Sequence, residues 1–197
     1  MRRLVLLAAL LAAVVVAVPA AGDDHHHTTG SKPNRELTAQ IARARVALAP
    51  FVSNLAAARE QGGYKLQITP MMPKMGYHFM NPDVTGFDVR RPPILVYVRQ
   101  GADAQLVAAE WVFPSKPAKP PLPGARYGSF AAACHYEDGN FIPQRNERAC
   151  APKHPETGAA FTFWHPDLVT LHLWLWYPNP DGVFTSTNAF VAPFNRS

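Results

Sequence analysis

Two segments of this chain cannot lie open on a surface. Laid out as strands, Leu106-Val107-Ala108-Ala109-Glu110-Trp111-Val112-Phe113 and Leu171-His172-Leu173-Trp174-Leu175-Trp176 are apolar on both faces. A strand of that kind has to be covered on both sides. The fold therefore needs a sheet with a layer over each face. Each run also carries one ionisable residue in its interior. Glu110 falls on the face of Leu106, Ala108 and Val112, and His172 on the face of Trp174 and Trp176. A buried carboxylate requires a charged partner, a metal ion or a raised pKa.

The remaining pattern supplies the layers. From Glu36 to about Gln61 the apolar residues Leu37, Ile41, Ala44, Leu48, Phe51 and Leu55 recur in steps of four and three, which is helical spacing. Pro50 interrupts the run, so a kinked helix or two helices are expected, ended by Gly62-Gly63. Tyr64–Thr69 alternates as a first strand, and 70–82 reads as a loop dense in Met, Pro and Gly. Ile94–Arg99 and Gln105–Phe113 form a hairpin, and Tyr127–His135 reads as one further strand. Ser115–Gly124 and Asp138–Thr157 read as loops. Phe161–Trp164 and Thr170–Trp176 are strands split by His165-Pro166-Asp167, and Asn179-Pro180-Asp181-Gly182 is a turn. The expected class is α+β: an N-terminal helical segment followed by an antiparallel sheet, with a small β-barrel as one way of closing it.

The start of the chain bears on where the protein works. Arg2-Arg3, the unbroken apolar run Leu4–Val18 and the small residues up to Gly22 have the order of a secretory signal peptide. Residues 1–22 are expected to be that signal, 23–35 a flexible His-rich leader, and 36–197 a single domain. The expected location is secreted or periplasmic, with no stable membrane insertion after cleavage. Without Arg2 and Arg3 the formal charge falls from +5 to +3. That surplus is scattered, which argues against a nucleic-acid partner. Cys134 and Cys150 are the only cysteines, and in an exported chain the pair is expected to form a disulfide.

A third strand-like segment, Met75-Gly76-Tyr77-His78-Phe79-Met80-Asn81-Pro82, again places an ionisable residue among apolar ones. His78, Glu110 and His172 together make a two-His-one-carboxylate set, suited to Zn or non-haem Fe with positions left open. His165 is an optional fourth ligand, arriving on a loop because Pro166 precludes a helix shared with His172. Met72, Met75 and His78 fall at three-residue spacing and could bring two thioethers and an imidazole to one side of a loop, a soft set that selects Cu(I). The same methionines could instead be adaptable core filler, and Glu110 bonded to the histidines could be a structural network without metal. In the leader, Asp23-Asp24-His25-His26-His27 can hold Cu(II), Ni(II) or Zn(II) loosely. Cleavage after Gly22 would make His25 the third residue from a free amine, a square-planar Cu(II) or Ni(II) arrangement. Ser129 and Ser186 lack the context of an activated nucleophile.

Taken in order, the Met75–Pro82 segment, Pro93-Ile94-Leu95-Val96-Tyr97, the Glu110 strand, the His172 strand, Asn179–Phe184 and Asn188 resemble an uncharacterised family of exported bacterial proteins. Its motifs are Met-Gly-Tyr-His-x-x-Asn-Pro and Leu-His-x-Trp-x-Trp-x-x-Asn-Pro-x-Gly, and the resemblance spans roughly 36–194. It implies export and a shared fold, and the family's His, Glu and His carry over to His78, Glu110 and His172. The chain departs from the pattern at His165-Pro166-Asp167-Leu168-Val169-Thr170, where the family has a shorter run and a nearer His. That leaves the fourth ligand open. Three functions fit these observations. The first is an exported metal-binding protein that sequesters or delivers copper. The second is a zinc- or iron-dependent enzyme with the two-His-one-carboxylate site. The third is a metal-free module for a small ligand or an envelope partner.

Overall fold

The computed structural model of the chain describes residues 34–99 and 101–195. The expected signal peptide and the leader up to residue 33, His25 included, lie outside the described residues. Asn34 opens the first helix, α1 (Arg35–Leu48), by accepting the Leu37 N–H on its side chain, with Glu36 in the first turn. Pro50 ends it in a short 3₁₀ turn at Ala49–Phe51. Asn54 then caps α2 (Leu55–Glu60) in the same way. The chain thus takes the two-helix alternative. Ala44 and Leu48 from α1 and Leu55 and Ala58 from α2 are buried together on one side.

Nine strands follow among the described residues. They are β1 (Leu66–Gln67), β2 (Tyr77–Met80), β3 (Ile94–Tyr97), β4 (Leu106–Phe113), β5 (Gly128–Phe130), β6 (Ala133–Tyr136), β7 (Phe141–Pro143), β8 (Phe161–His165) and β9 (Leu168–Trp174). Six of them form an antiparallel sheet in the order β1-β2-β3-β4-β9-β5, and three form a small antiparallel sheet in the order β7-β6-β8. The class is α+β, and the pairings among the described residues do not close the large sheet into a barrel. No helix among those residues is long and apolar enough to cross a membrane.

The layers are those that the two-faced strands demand. α1 and α2 pack on one face, against Phe79, Leu95, Tyr97, Ala109, Trp111, Leu171 and Leu173. Each leucine or phenylalanine among them contributes about 1.5–3 kcal/mol by leaving water. Part of the other face is closed by Val191 from the 3₁₀ segment Ala189–Asn195, against Val96, Val107, Ala108 and Trp174. The small sheet covers the rest.

Several strand limits and facings differ from expectation. His78 sits on a strand, β2, where the sequence also reads as loop. Leu106 does not share Glu110's face: a register shift between Val96 and Tyr97 turns it into the helix-side core beside Ala109. A one-residue slip reverses every facing beyond it. Trp176 likewise packs on the helix side, because β9 ends at Trp174. The single strand expected at Tyr127–His135 is two strands in two sheets, parted at Ala131-Ala132. The return crossing is Pro166-Asp167, and Ala132 N–H donates to Asp167 Oδ1 at 2.8 Å across the two crossings. Cys134 and Cys150 form a disulfide with Cα atoms 5.7 Å apart, closing the loop that follows β6.

Candidate metal centre

Glu110 and His172 are direct partners across β4 and β9, on the face away from the helices. Their contact is Glu110 Oε1 to His172 Nε2 at 3.0 Å. His78 comes from β2, with β3 in between, so its backbone stands roughly 10 Å from that of β4. Its ring leans back across this distance, and Nε2 lies 3.4 Å from Glu110 Oε2. The two imidazoles therefore address different oxygens of one carboxylate. His78 and His172 are 3% exposed and Glu110 6%, and one ligand atom from each lies within 4.8 Å of the others. These three residues could hold a metal ion.

Burial sets the charge states. It pushes the His78 imidazole down to about 4, with the Glu110 carboxylate pulling the other way. His78 is therefore neutral near pH 7. Burial pushes the Glu110 carboxyl up, but His172, by charge and hydrogen bond, and His78, by charge, together bring it below the ordinary carboxylate value. The result is a buried anion surrounded by imidazoles. Thr69 orients His78: its Oγ1 lies 2.8 Å from Nδ1 and also accepts the His78 backbone N–H. Two proton arrangements are consistent with this. In the first, both rings donate Nε2–H to Glu110 and the Thr69 hydroxyl donates to His78 Nδ1. In the second, both Nε2 lone pairs and the carboxylate face a cation, and His78 Nδ1–H donates to Thr69. The second is the usual outer-sphere support of a metal-bound histidine. Neutral imidazoles and a carboxylate suit zinc or iron, with positions left for water or a ligand.

The centre opens on a cavity of about 330 Å³ between the two sheets. A tight turn brings methionines to its wall. Met72 and Gly76 exchange backbone hydrogen bonds, Lys74 takes φ 58°, and Asn188 N–H donates to the Lys74 carbonyl. Gly76, at φ 126°, passes so close to the Tyr97 carbonyl that a side chain there would collide with it. Met72 and Met75 thus line the same cavity as His78, Glu110 and His172, and so does His165. His165 does not join the three-residue cluster. It lies on β8, with its ring centroid 5.0 Å from that of His135.

His135 also lines the cavity, although in the sequence it reads only as the end of an expected strand. What places it there is a pairing that only the fold shows: it stands two residues along β6 from Ala133, the residue that pairs with His165. Burial, with the charge of His165, holds His135 down to about 4. The motif asparagines are structural. Asn81 donates to the Gly62 carbonyl, and its Oδ1 accepts from Asp83 N–H. Asn188 does the same between the Pro178 carbonyl and Phe190 N–H. Trp111 and Trp174 are core. The chain matches no protein-family model, no curated protein and no solved structure.

Proposed function

We propose that the protein is an exported metal-binding protein whose ion is held by His78, Glu110 and His172 and meets a small molecule in the apolar cavity beside it. One observation carries this reading. Three donors from three strands of a rigid sheet converge within 4.8 Å, nine-tenths or more buried, on a cavity far larger than an ion needs. The donor set suits zinc or iron, and the spare volume suits a metal-dependent enzyme acting on a small apolar substrate. Copper sequestration or delivery is the second reading, favoured by Met72 and Met75 in the same wall. Export rests on the signal-like start of the chain, and the Cys134–Cys150 disulfide fits an oxidising compartment. The motif resemblance to exported bacterial proteins fits the same picture.

The test is elemental analysis of the full chain, purified from an oxidising compartment without an affinity tag, beside a His78→Ala/His172→Ala variant. About one equivalent of zinc or iron, lost in the variant while its circular dichroism is kept, is the expected result. Copper in that place would favour trafficking. A folded wild-type protein that contains no metal and takes none up on titration would leave the metal-free module.

A further inference from the structure

His135 and His165 sit on neighbouring strands of the small sheet as diagonal neighbours on one face, because Ala133 pairs with His165 and His135 with Phe163. Their ring centroids are 5.0 Å apart. Each ring has its Nδ1 against a backbone carbonyl, His135 on Ile68 at 2.9 Å and His165 on Pro166 at 2.6 Å. A carbonyl only accepts, so both Nδ1 atoms carry the proton, and in the neutral ring each Nε2 presents a bare lone pair. Both Nε2 atoms are buried without a hydrogen-bonding partner among the described residues, in side chains 1% and 9% exposed. The rings are held in place. Phe163 stacks parallel on His135 at 4.5 Å, and Phe130 packs against both histidines.

Two neighbouring lone pairs cannot satisfy each other. They need donors or a cation, and an orphaned buried acceptor is costly. Fixing a ring by its other nitrogen is also how proteins orient metal-bound histidines. The charge on this side of the cavity narrows the choice of ion. Among the described residues Glu110 is its only lining carboxylate, and it is engaged by His78 and His172. A divalent ion on two neutral imidazoles would leave two uncompensated charges in an apolar space, whereas a monovalent ion leaves one. The lining also offers the hydroxyls of Thr69, Ser129, Thr170 and Ser186, and its soft donors are thioethers, including Met72 and Met75. Imidazole with thioether is a soft, neutral set, and Cu(I) is the biological ion it selects.

We propose that His135 and His165, completed by a thioether of Met72 or Met75, form a second cation site in the cavity, selective for a soft monovalent ion of the Cu(I) class. This site does not depend on the His78–Glu110–His172 centre. Together the two give one cavity a hard wall and a soft wall.

Silver(I), a redox-inert stand-in for Cu(I), and cobalt(II), a reporter for the carboxylate centre, test the assignment by equilibrium dialysis. The full chain is used throughout, with His25, His26 and His27 replaced by Ala to silence the leader. The otherwise unchanged chain is expected to bind about one equivalent of Ag(I). Glu110→Gln should keep it while losing Co(II). His135→Gln/His165→Gln should weaken Ag(I) by about 100-fold and keep Co(II), which also reports that the variant is folded. Met72→Leu/Met75→Leu should weaken Ag(I) by about tenfold. X-ray absorption of the Ag(I)-loaded chain should show nitrogen and sulfur neighbours, a readout that needs no variant. The proposal is overturned by no Ag(I) uptake, by uptake that His135→Gln/His165→Gln leaves unchanged, by joint loss of both ions in Glu110→Gln, or by an oxygen-only shell. Ag(I) binding without Co(II) binding would sink the carboxylate centre and leave this one standing.

Discussion

On the helix side of the six-stranded sheet, buried polar atoms have been given partners. Tyr64 Oη donates to the Pro92 carbonyl, Tyr97 Oη to Phe51 and Trp111 Nε1 to Asp88. Tyr127 Oη, at the margin of that core, is the exception among the described residues. On the cavity side, His172 Nδ1 and the Nε2 atoms of His135 and His165 have none. The same strands build both faces, since successive side chains point opposite ways. Ala109 and Trp111 face the helices while Glu110 between them faces the cavity. One set of residues stabilises the sheet, and part of the alternating set lines the cavity instead. This is why costly polar residues can be tolerated there.

That division predicts separable effects. The largest is expected from Trp111→Ala. It empties a fully buried site packed on Phe87 and should cost about 3–5 kcal/mol in urea unfolding. Co(II) affinity of the folded protein should stay unchanged; a parallel loss of affinity would break the comparison. Next is Cys134→Ser/Cys150→Ser, which should lower stability by about 3 kcal/mol. It should weaken Ag(I), whose histidines lie on the stapled sheet, and spare Co(II).

A pH series probes the helix side alone. Burial raises the Tyr64 hydroxyl to about 12, against the opposing charge of Arg91. The native state keeps that proton where an unfolded tyrosine near 10 loses it. The stabilisation is complete below pH 10 and is lost as pH rises toward 12, by up to about 2.7 kcal/mol. Tyr64→Phe should lessen the decline in chemical denaturation between pH 10 and 12, with the buried Tyr97 hydroxyl, also pushed up, supplying part of the rest. The smallest effect belongs to Thr69→Val. Loss of the hydroxyl at His78 Nδ1 should weaken Co(II) about tenfold, with Thr69→Ser restoring it and Ag(I) unmoved.

What the sequence made legible was local. His78, Glu110 and His172 stand out because each interrupts an apolar run, and burial follows from the run alone. The helix break at Pro50 and the hairpin before Gln105 follow from the residues present at those points. What stayed hidden depends on partners far along the chain. Leu106 changes face through a slip in its pairing with β3, which no pattern within β4 reveals. The sheet change at Ala131-Ala132 has no Gly or Pro to mark it. His135 stands beside Cys134 in the sequence, whereas its neighbour in space is His165, thirty residues on and one strand over.

The link between Ala132 and Asp167 has a consequence for how the chain could have been assembled. β5 and β9 pair with Phe130 opposite Leu168, so their ends already stand as close as those of a hairpin. Everything from Ala131 to Asp167 is an excursion from that hairpin's tip, and its exit and return are fastened together by one hydrogen bond. Both cysteines, His135 and His165 travel in the insert, while His78, Glu110 and His172 stay in the base. The two halves of the cavity are therefore separable pieces of sequence. A short turn joining Phe130 to Leu168 would remove both histidines of one wall and leave the strands that carry the other wall paired as before.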